Sequence, residues 1–467
     1  MKKLVILALW AVICHTGIAA AEQTADVDAA EGPFPLTLAD SIAMALATNE
    51  RIDAAEAGRE AAAWNLSGVR RATGPVVAWN AEGHRGAQKG LFGLTDYNSY
   101  AHSWSLTIPF YTGGRNEGRI EQGRYQLNRA DLNLENARQT VRFKTAEAYA
   151  NLLYRKDLAA IAQRAVDMAD HQMQLIKAQY EEGAVARADV LAMEVQLANY
   201  RQNLVTAKGA VDVAMDSLAS LIGLPLDAEI QPTDIFSYEA YPQDMHVCEE
   251  YALQHRPDYL AAIYAEKVAK AQMDTEKAGY RPQVSGSVKR QISSGKALFG
   301  TEGGGWDAGV QVAWNIFDNG VTQAGVQKAA ATVTQSQAET EAARKTVCVE
   351  IRNAYIEMKA AEESIADSSA AVETAEECYE IAQVRYDEGV DNLLALNDAQ
   401  EKFNRAQSNY CTALYQYNLR RVTLEKAMGV PVRIDPARYV AAEQQGASSA
   451  KALAEAELAP ATEEDAP

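Results

Sequence analysis

The chain has 467 residues, with 63 acidic side chains against 44 Lys and Arg and a formal charge of −19. That balance excludes nucleic-acid binding, which needs a basic footprint. Beyond the N-terminal leader no stretch approaches 18 apolar residues, so any membrane crossing must be made by strands and not by helices.

In chain order, residues 1–21 read as a secretory signal peptide. Lys2 and Lys3 precede an apolar run from Leu4 to Cys14, and Ala19-Ala20-Ala21 offers a cleavage site. Ile13 before Cys14 does not fit a lipidation signal. Residues 22–35 form an N-terminal extension. A first structural unit covers 36–231, a connector 232–246, and a second unit 247–434. The Ala/Glu-rich tail, 435–467, is low in apolar bulk and reads as disordered.

The two units are one pattern used twice, about 206 residues apart. Tyr149 meets Tyr355, Gly114 meets Gly320, and Gly223-Leu224-Pro225 meets Gly429-Val430-Pro431. Tyr180-Glu181-Glu182-Gly183 meets Tyr386-Asp387-Glu388-Gly389. Each unit opens with one helix (about Leu38–Thr73, then Val247–Tyr280), which a proline ends. Two strand-like runs follow around a Gly/Ser-rich loop, with Gly303-Gly304-Gly305 read as a flexible turn. A proline-free helix comes next, Arg115–Glu182 or Val321–Glu388, about 100 Å long at 1.5 Å per residue. A helix then returns to Gly223 or Gly429.

The returning helices carry heptad seams: Val190, Met193, Leu197, Tyr200 and Leu204 in the first, Leu396, Ala399, Phe403, Ala406 and Tyr410 in the second. A further apolar row on the long helix (Leu158, Ile161, Ala165, Met168) implies contact on two sides. The strand runs, of about ten residues each, alternate. Trp306, Ala308, Val310, Val312, Trp314 and Ile316 share one face. So do His102, Trp104, Leu106, Ile108 and Phe110; Val284, Gly286 and Val288; and Val77, Trp79 and Ala81. That is the pattern of a transmembrane β-barrel, although a half-buried soluble sheet alternates in the same way. Four strands cannot close a barrel, and lipid does not tolerate an open edge. Strands that cross a membrane would therefore need several copies of the chain.

Cys248, Cys348, Cys378 and Cys411 are not at metal-site spacing. If the second hairpin folds at Gly389, Cys411 and Cys378 lie about 16 Å off level, beyond disulfide reach. They read as single, mostly buried thiols. His84, His102, His171, His246 and His255 are scattered. No HExxH, GxSxG or phosphate-loop motif occurs, so neither catalysis, nor a cofactor, nor a metal is indicated.

These features resemble the TolC family of outer-membrane efflux channels. The carriers are "LTLADSIAMALATNERI", "PFYTGGR", "NIFDNGV", "YEEGAVARADVL", "YDEGVDNLLALNDAQ", "LIGLPL" and "AMGVP". The resemblance implies a mainly α fold with a transmembrane β-barrel: a homotrimer with one 12-strand barrel in outer-membrane lipid, above a long periplasmic helical tube. It implies the exit duct of a tripartite efflux pump or type I secretion system, docked to a periplasmic membrane-fusion adaptor and an inner-membrane transporter. The alternative is an exported coiled-coil structural or adhesive protein without a pore. Gly183 and Gly389 become the turns of two hairpins at the tube's inner end. The resemblance places a gate at Tyr386 and Asp189. Asp391 stands where some members have Arg, and Arg187 is the substitute charge. Asp398 is the member of an acidic pore ring, on a face with Asp391, Ala395, Lys402 and Arg405. With few apolar residues at the second tip, polar contacts are expected to hold it shut.

Overall fold

The computed structural model describes residues 34–90, 93–226, 228–294, 299 and 303–430. The expected signal peptide, most of the N-terminal extension and the C-terminal tail lie outside the described residues.

The elements run β1 (Phe34–Leu36), α1 (Leu38–Thr48), α2 (Glu50–Arg71), β2 (Val76–Gly90), β3 (Gly93–Tyr111), α3 (Arg115–Glu181) and α4 (Arg187–Ile222). They continue with β4 (Ile230–Pro232), α5 (Met245–His255), α6 (Pro257–Lys277), β5 (Gln283–Ser294), β6 (Gly303–Ala313), α7 (Val321–Asp387) and α8 (Leu393–Ala427). The duplication is close: α3 and α7 each have 67 residues, and α4 and α8 have 36 and 35.

The opening helix of each unit, expected to be single, is two helices. Asn49 is extended (φ −84°, ψ 122°) and closes α1, while its side chain accepts from Arg51 N at 3.1 Å and caps α2. Arg256 is extended (φ −73°, ψ 117°) because Pro257 follows and disfavours a helical residue before it.

One antiparallel sheet forms in the order β2-β3-β5-β6, leaving β2 and β6 as edges. β2 and β3 have 15 and 19 residues, longer than expected. β6 stops at Ala313, so Trp314, Ile316 and Phe317 lie past its end. Gly303, Gly304 and Gly305 are not a loop: they open β6 opposite Ser293, Ile292 and Gln291. The ladder is made by backbone groups, so a missing side chain does not stop it.

Near the sheet, α3 packs on α2 and α6, and α7 packs on α6. Further down, α3 packs on α4 and α8, and α7 packs on α8. Four helices thus stand side by side at both levels, with α3 covered on two sides, as its second apolar row implies. A collar surrounds the middle. Tyr149 is fully buried, with its hydroxyl 2.9 Å from Leu36 O and 2.8 Å from Asp234 Oδ2. Its repeat mate Tyr355 also reaches the connector, donating to Gln243 O at 3.4 Å. On α8, Tyr417 and Arg421 donate to Glu239 O, and Asn418 donates to Ser237 O.

All four thiols are free, yet only Cys248 and Cys411 are buried. Cys378 is exposed because lower α7 has no neighbour on one side within the chain.

Candidate functional site

Both hairpin turns use a left-handed glycine: φ is +78° at Gly183 and +72° at Gly389. A Cβ at either would meet nothing within 4 Å. Backbone conformation, not crowding, therefore requires glycine there.

Tyr386 and Asp189 come together at the tips. Tyr386 packs on the apolar cluster of the first hairpin, and its hydroxyl donates to Gln179 Oε1 at 3.3 Å. Burial, then the charges of Asp189 and Asp387, push that hydroxyl above its usual pKa, so it stays a neutral donor. The Asp189 carboxylate accepts from Ala186 N at 3.2 Å and caps α4.

Within the chain Asp391 is paired with Arg385, whose Nε lies 2.7 Å from Asp391 Oδ2. The two residues flank one tight turn, whereas Arg187 lies on the other hairpin, exposed and in no ion pair among the described residues. Gln179 and Arg385 were missed from sequence. Arg385 had a local signal, since Gly389 folds the chain back between it and Asp391. Gln179 had none, because its partner is 207 residues away.

Asp391 also leaves the expected helical face, since α8 begins at Leu393. The face that remains is Ala395, Asp398, Lys402 and Arg405. Asp398 is not a bare acid: Lys402 Nζ lies 2.7 Å from its Oδ2, and Arg405 pairs with Glu401.

Apolar contact at the tip is greater than expected. Leu393 is buried among Ala165, Val166, Ala169, Met173, Ile176 and Met193. Above it the interface turns polar. Gln172 on α3, Tyr200 on α4 and Asn404 on α8 face it, and Asn397 Oδ1 and Gln400 Nε2 on α8 are buried atoms without partners among the described residues. Such groups cost stability unless something satisfies them.

At the other end, the strand register joins the apolar faces of all four strands. Val77 lies opposite Leu106, Leu106 opposite Val288, and Val288 opposite Ala308. Ile108, Gly286 and Val310 make a parallel row. The reverse face carries Ser103, Ser105, Ser287, Lys289, Asp307 and Gln311. The apolar face is exposed, with Val77, Val288, Val310 and Val312 open to solvent. Aromatics bound it: Trp79, Trp104 and Trp306 at one end, Phe110, Tyr280, Trp314 and Phe317 near the helices. Trp306 to Trp314 spans about 27 Å along the strand, or about 20 Å along the normal at a tilt near 40°. That fits the apolar band of an outer-membrane barrel, about 25 Å tall. No helix among the described residues is long and apolar enough to cross a membrane.

The family profile described as "Outer membrane efflux protein" matches residues 41–224 and 250–430. The toluene efflux pump outer membrane protein TtgF of Pseudomonas putida is 27% identical over 300 residues, covering 60% of this chain and 59% of TtgF. The outer membrane protein TolC of Escherichia coli K12 is 22% identical over 312 residues, covering 64% of this chain and 63% of TolC. The chain thus matches about three fifths of the length of these relatives. In fold, the CmeC outer membrane channel of Campylobacter jejuni superposes with a TM-score of 0.74 at 18% identity, covering 84% of this chain and 85% of CmeC.

Proposed function

The chain belongs to the outer membrane efflux protein family, and from that premise we propose that it is a passive outer-membrane exit duct of an efflux pump or secretion system. One observation carries the reading: every lateral boundary of the folded chain is unfinished. The sheet ends in two open edges, β2 and β6. In the helical part, α4 exposes Leu191, Val195, Val205 and Val213 at one margin, and α7 exposes Val349, Ile356, Ile381 and Val384 at the other. Two different margins of one chain that pack on each other make a head-to-tail contact, which gives a ring when its rotation closes.

Strand count sets the ring's size. Two copies give eight strands, whose side chains fill the interior. Three copies give twelve, the smallest such ring with an open lumen. The apolar face then meets lipid, and the face with Lys289, Asp307 and Gln311 lines the passage. A trimer gathers six hairpin tips around one entrance. Tyr386, Asp189, Arg385 and Asp391 hold that entrance closed. Asp398 and Lys402 form a charged ring just inside, compensated pairwise. The energy for export comes from an inner-membrane transporter, reached through a periplasmic adaptor that docks on the tube. Toluene is in the name of TtgF and does not assign a cargo to this chain.

Planar-bilayer recording tests the reading. The purified protein should run as a detergent-resistant trimer and open discrete channels. A folded monomer that stays monomeric in mild detergent and carries no current would instead favour the pore-less coiled-coil alternative.

A further inference from the structure

The row of tryptophans across the sheet contains one cation. Trp79 lies opposite Trp104, Trp104 opposite Arg290, and Arg290 opposite Trp306. All four therefore project from the same side, the apolar one. Trp104 and Trp306 are 55% and 74% exposed, and Arg290 is exposed between them. From the helix-side aromatics up to this row, Arg290 is the one charge on the apolar face among the described residues. The nearest charges in sequence and register, Lys289 and Asp307, lie opposite each other on the reverse face. No carboxylate among the described residues pairs with Arg290. One step above the row on the same face stand His102, Ile292 and Gly304, none of them an acid.

An unpaired arginine on a lipid-facing wall is disfavoured at the bilayer midplane, and its cost falls near zero at the interface. The row lies at that interface. It closes the apolar band on the side away from the helices, because all four strands meet their helices at the opposite end, and beyond it β2 and β3 run on, paired, to Gly90 and Gly93. With the helical tube in the periplasm, this rim is the external one. Guanidinium offers a planar fork that matches phosphate oxygens, and indoles on both sides anchor at headgroup level.

We propose that Arg290, flanked by Trp104 and Trp306, is a binding site for the phosphate of an anionic glycolipid in the external leaflet, one site per chain. The inference rests on the membrane-spanning reading above. The acyl chains lie against Val288, Ala308 and Val310, and the phosphate bridges the guanidinium.

Native mass spectrometry of the full trimer tests it, with a diphosphorylated glycolipid, its dephosphorylated form and phosphatidylglycerol as probes. The parent should retain the diphosphorylated glycolipid best. Arg290→Gln should lose about tenfold in retention, the worth of one charge-assisted contact, while trimer mass and conductance hold. Arg290→Lys should recover part of the loss, and Lys289→Gln, on the lumen face, should cost nothing. Equal retention by parent and Arg290→Gln overturns the site, as does a parent preference for phosphatidylglycerol or indifference to the phosphate. Channels that conduct yet hold no phosphorylated lipid remove this site and leave the duct intact. A protein that neither inserts nor conducts removes both.

Discussion

Near its tip the first hairpin buries Ile176, Met193, Leu197 and Tyr200, and the aligned positions of the second hold Ala382, Ala399, Phe403 and Ala406. From Ile161 to Ile176, α3 buries seven residues, whereas α7 buries none beyond Ile365. Tyr180 is exposed, while its counterpart Tyr386 packs on the other hairpin's cluster. The first hairpin is therefore a finished coiled-coil pair. The second leans on the first through Tyr386 and Leu393 and leaves lower α7 for a neighbouring chain. Duplication supplied equal lengths, and side-chain volume made the two copies unequal: the second has the thinner core at its tip, which is why the gate is proposed there.

The largest test of that inequality is Met193→Ala. Met193 is fully buried, and such a truncation costs about 2–5 kcal/mol. Hydrogen exchange should show amides 165–200 losing protection while 370–387 change little. A matching loss along lower α7 would mean that the two tips open as one unit.

Next is the gate. Tyr386→Phe with Asp189→Ala removes contacts worth about 0.5–1.5 kcal/mol each. A trimer repeats each loss three times, so each contact type shifts the open–closed balance by roughly 1.5–4.5 kcal/mol if the terms add. Open-channel current and sensitivity to large external antibiotics should rise. Tyr180→Phe, at the exposed counterpart, should do little. The reverse ranking would put the moving element in the first hairpin.

The smallest effect concerns the polar layer that separates the hairpins. Gln400 is 2% exposed, and its amide nitrogen has no partner among the described residues. Gln400→Leu keeps the volume and removes that group, so the thermal midpoint should rise by the equivalent of about 1 kcal/mol and channel opening should become rarer. Lower stability in this variant would show that ordered water satisfies the layer and that the hairpins are bonded there rather than loosely held.

Much of this inequality was written in the chain. Ala at 382 and 399 opposite Ile176 and Met193 is visible by sliding one repeat over the other. The seams, the 67-residue helices and the alternating strand faces follow from periodicity, which depends only on local geometry. Asn49 illustrates where local reading falls short. It lies inside an unbroken apolar pattern, and an Asn can either sit in a helix or cap one. Arg385 and Gln179 show the same limit at the candidate gate: their roles depend on which way a turn points and which helix lies alongside.

By itself, then, the order of residues determined the duplication, the strand faces and the turns at Gly183 and Gly389, because hydrophobic period and left-handed backbone are properties of neighbours in sequence. Tertiary structure alone decided that α8 lies on α3, that Tyr386 reaches Gln179, and that Arg290 stands between two tryptophans. Those outcomes depend on which surfaces meet across some 200 residues of chain, and a heptad seam states that a helix has a partner without stating which one.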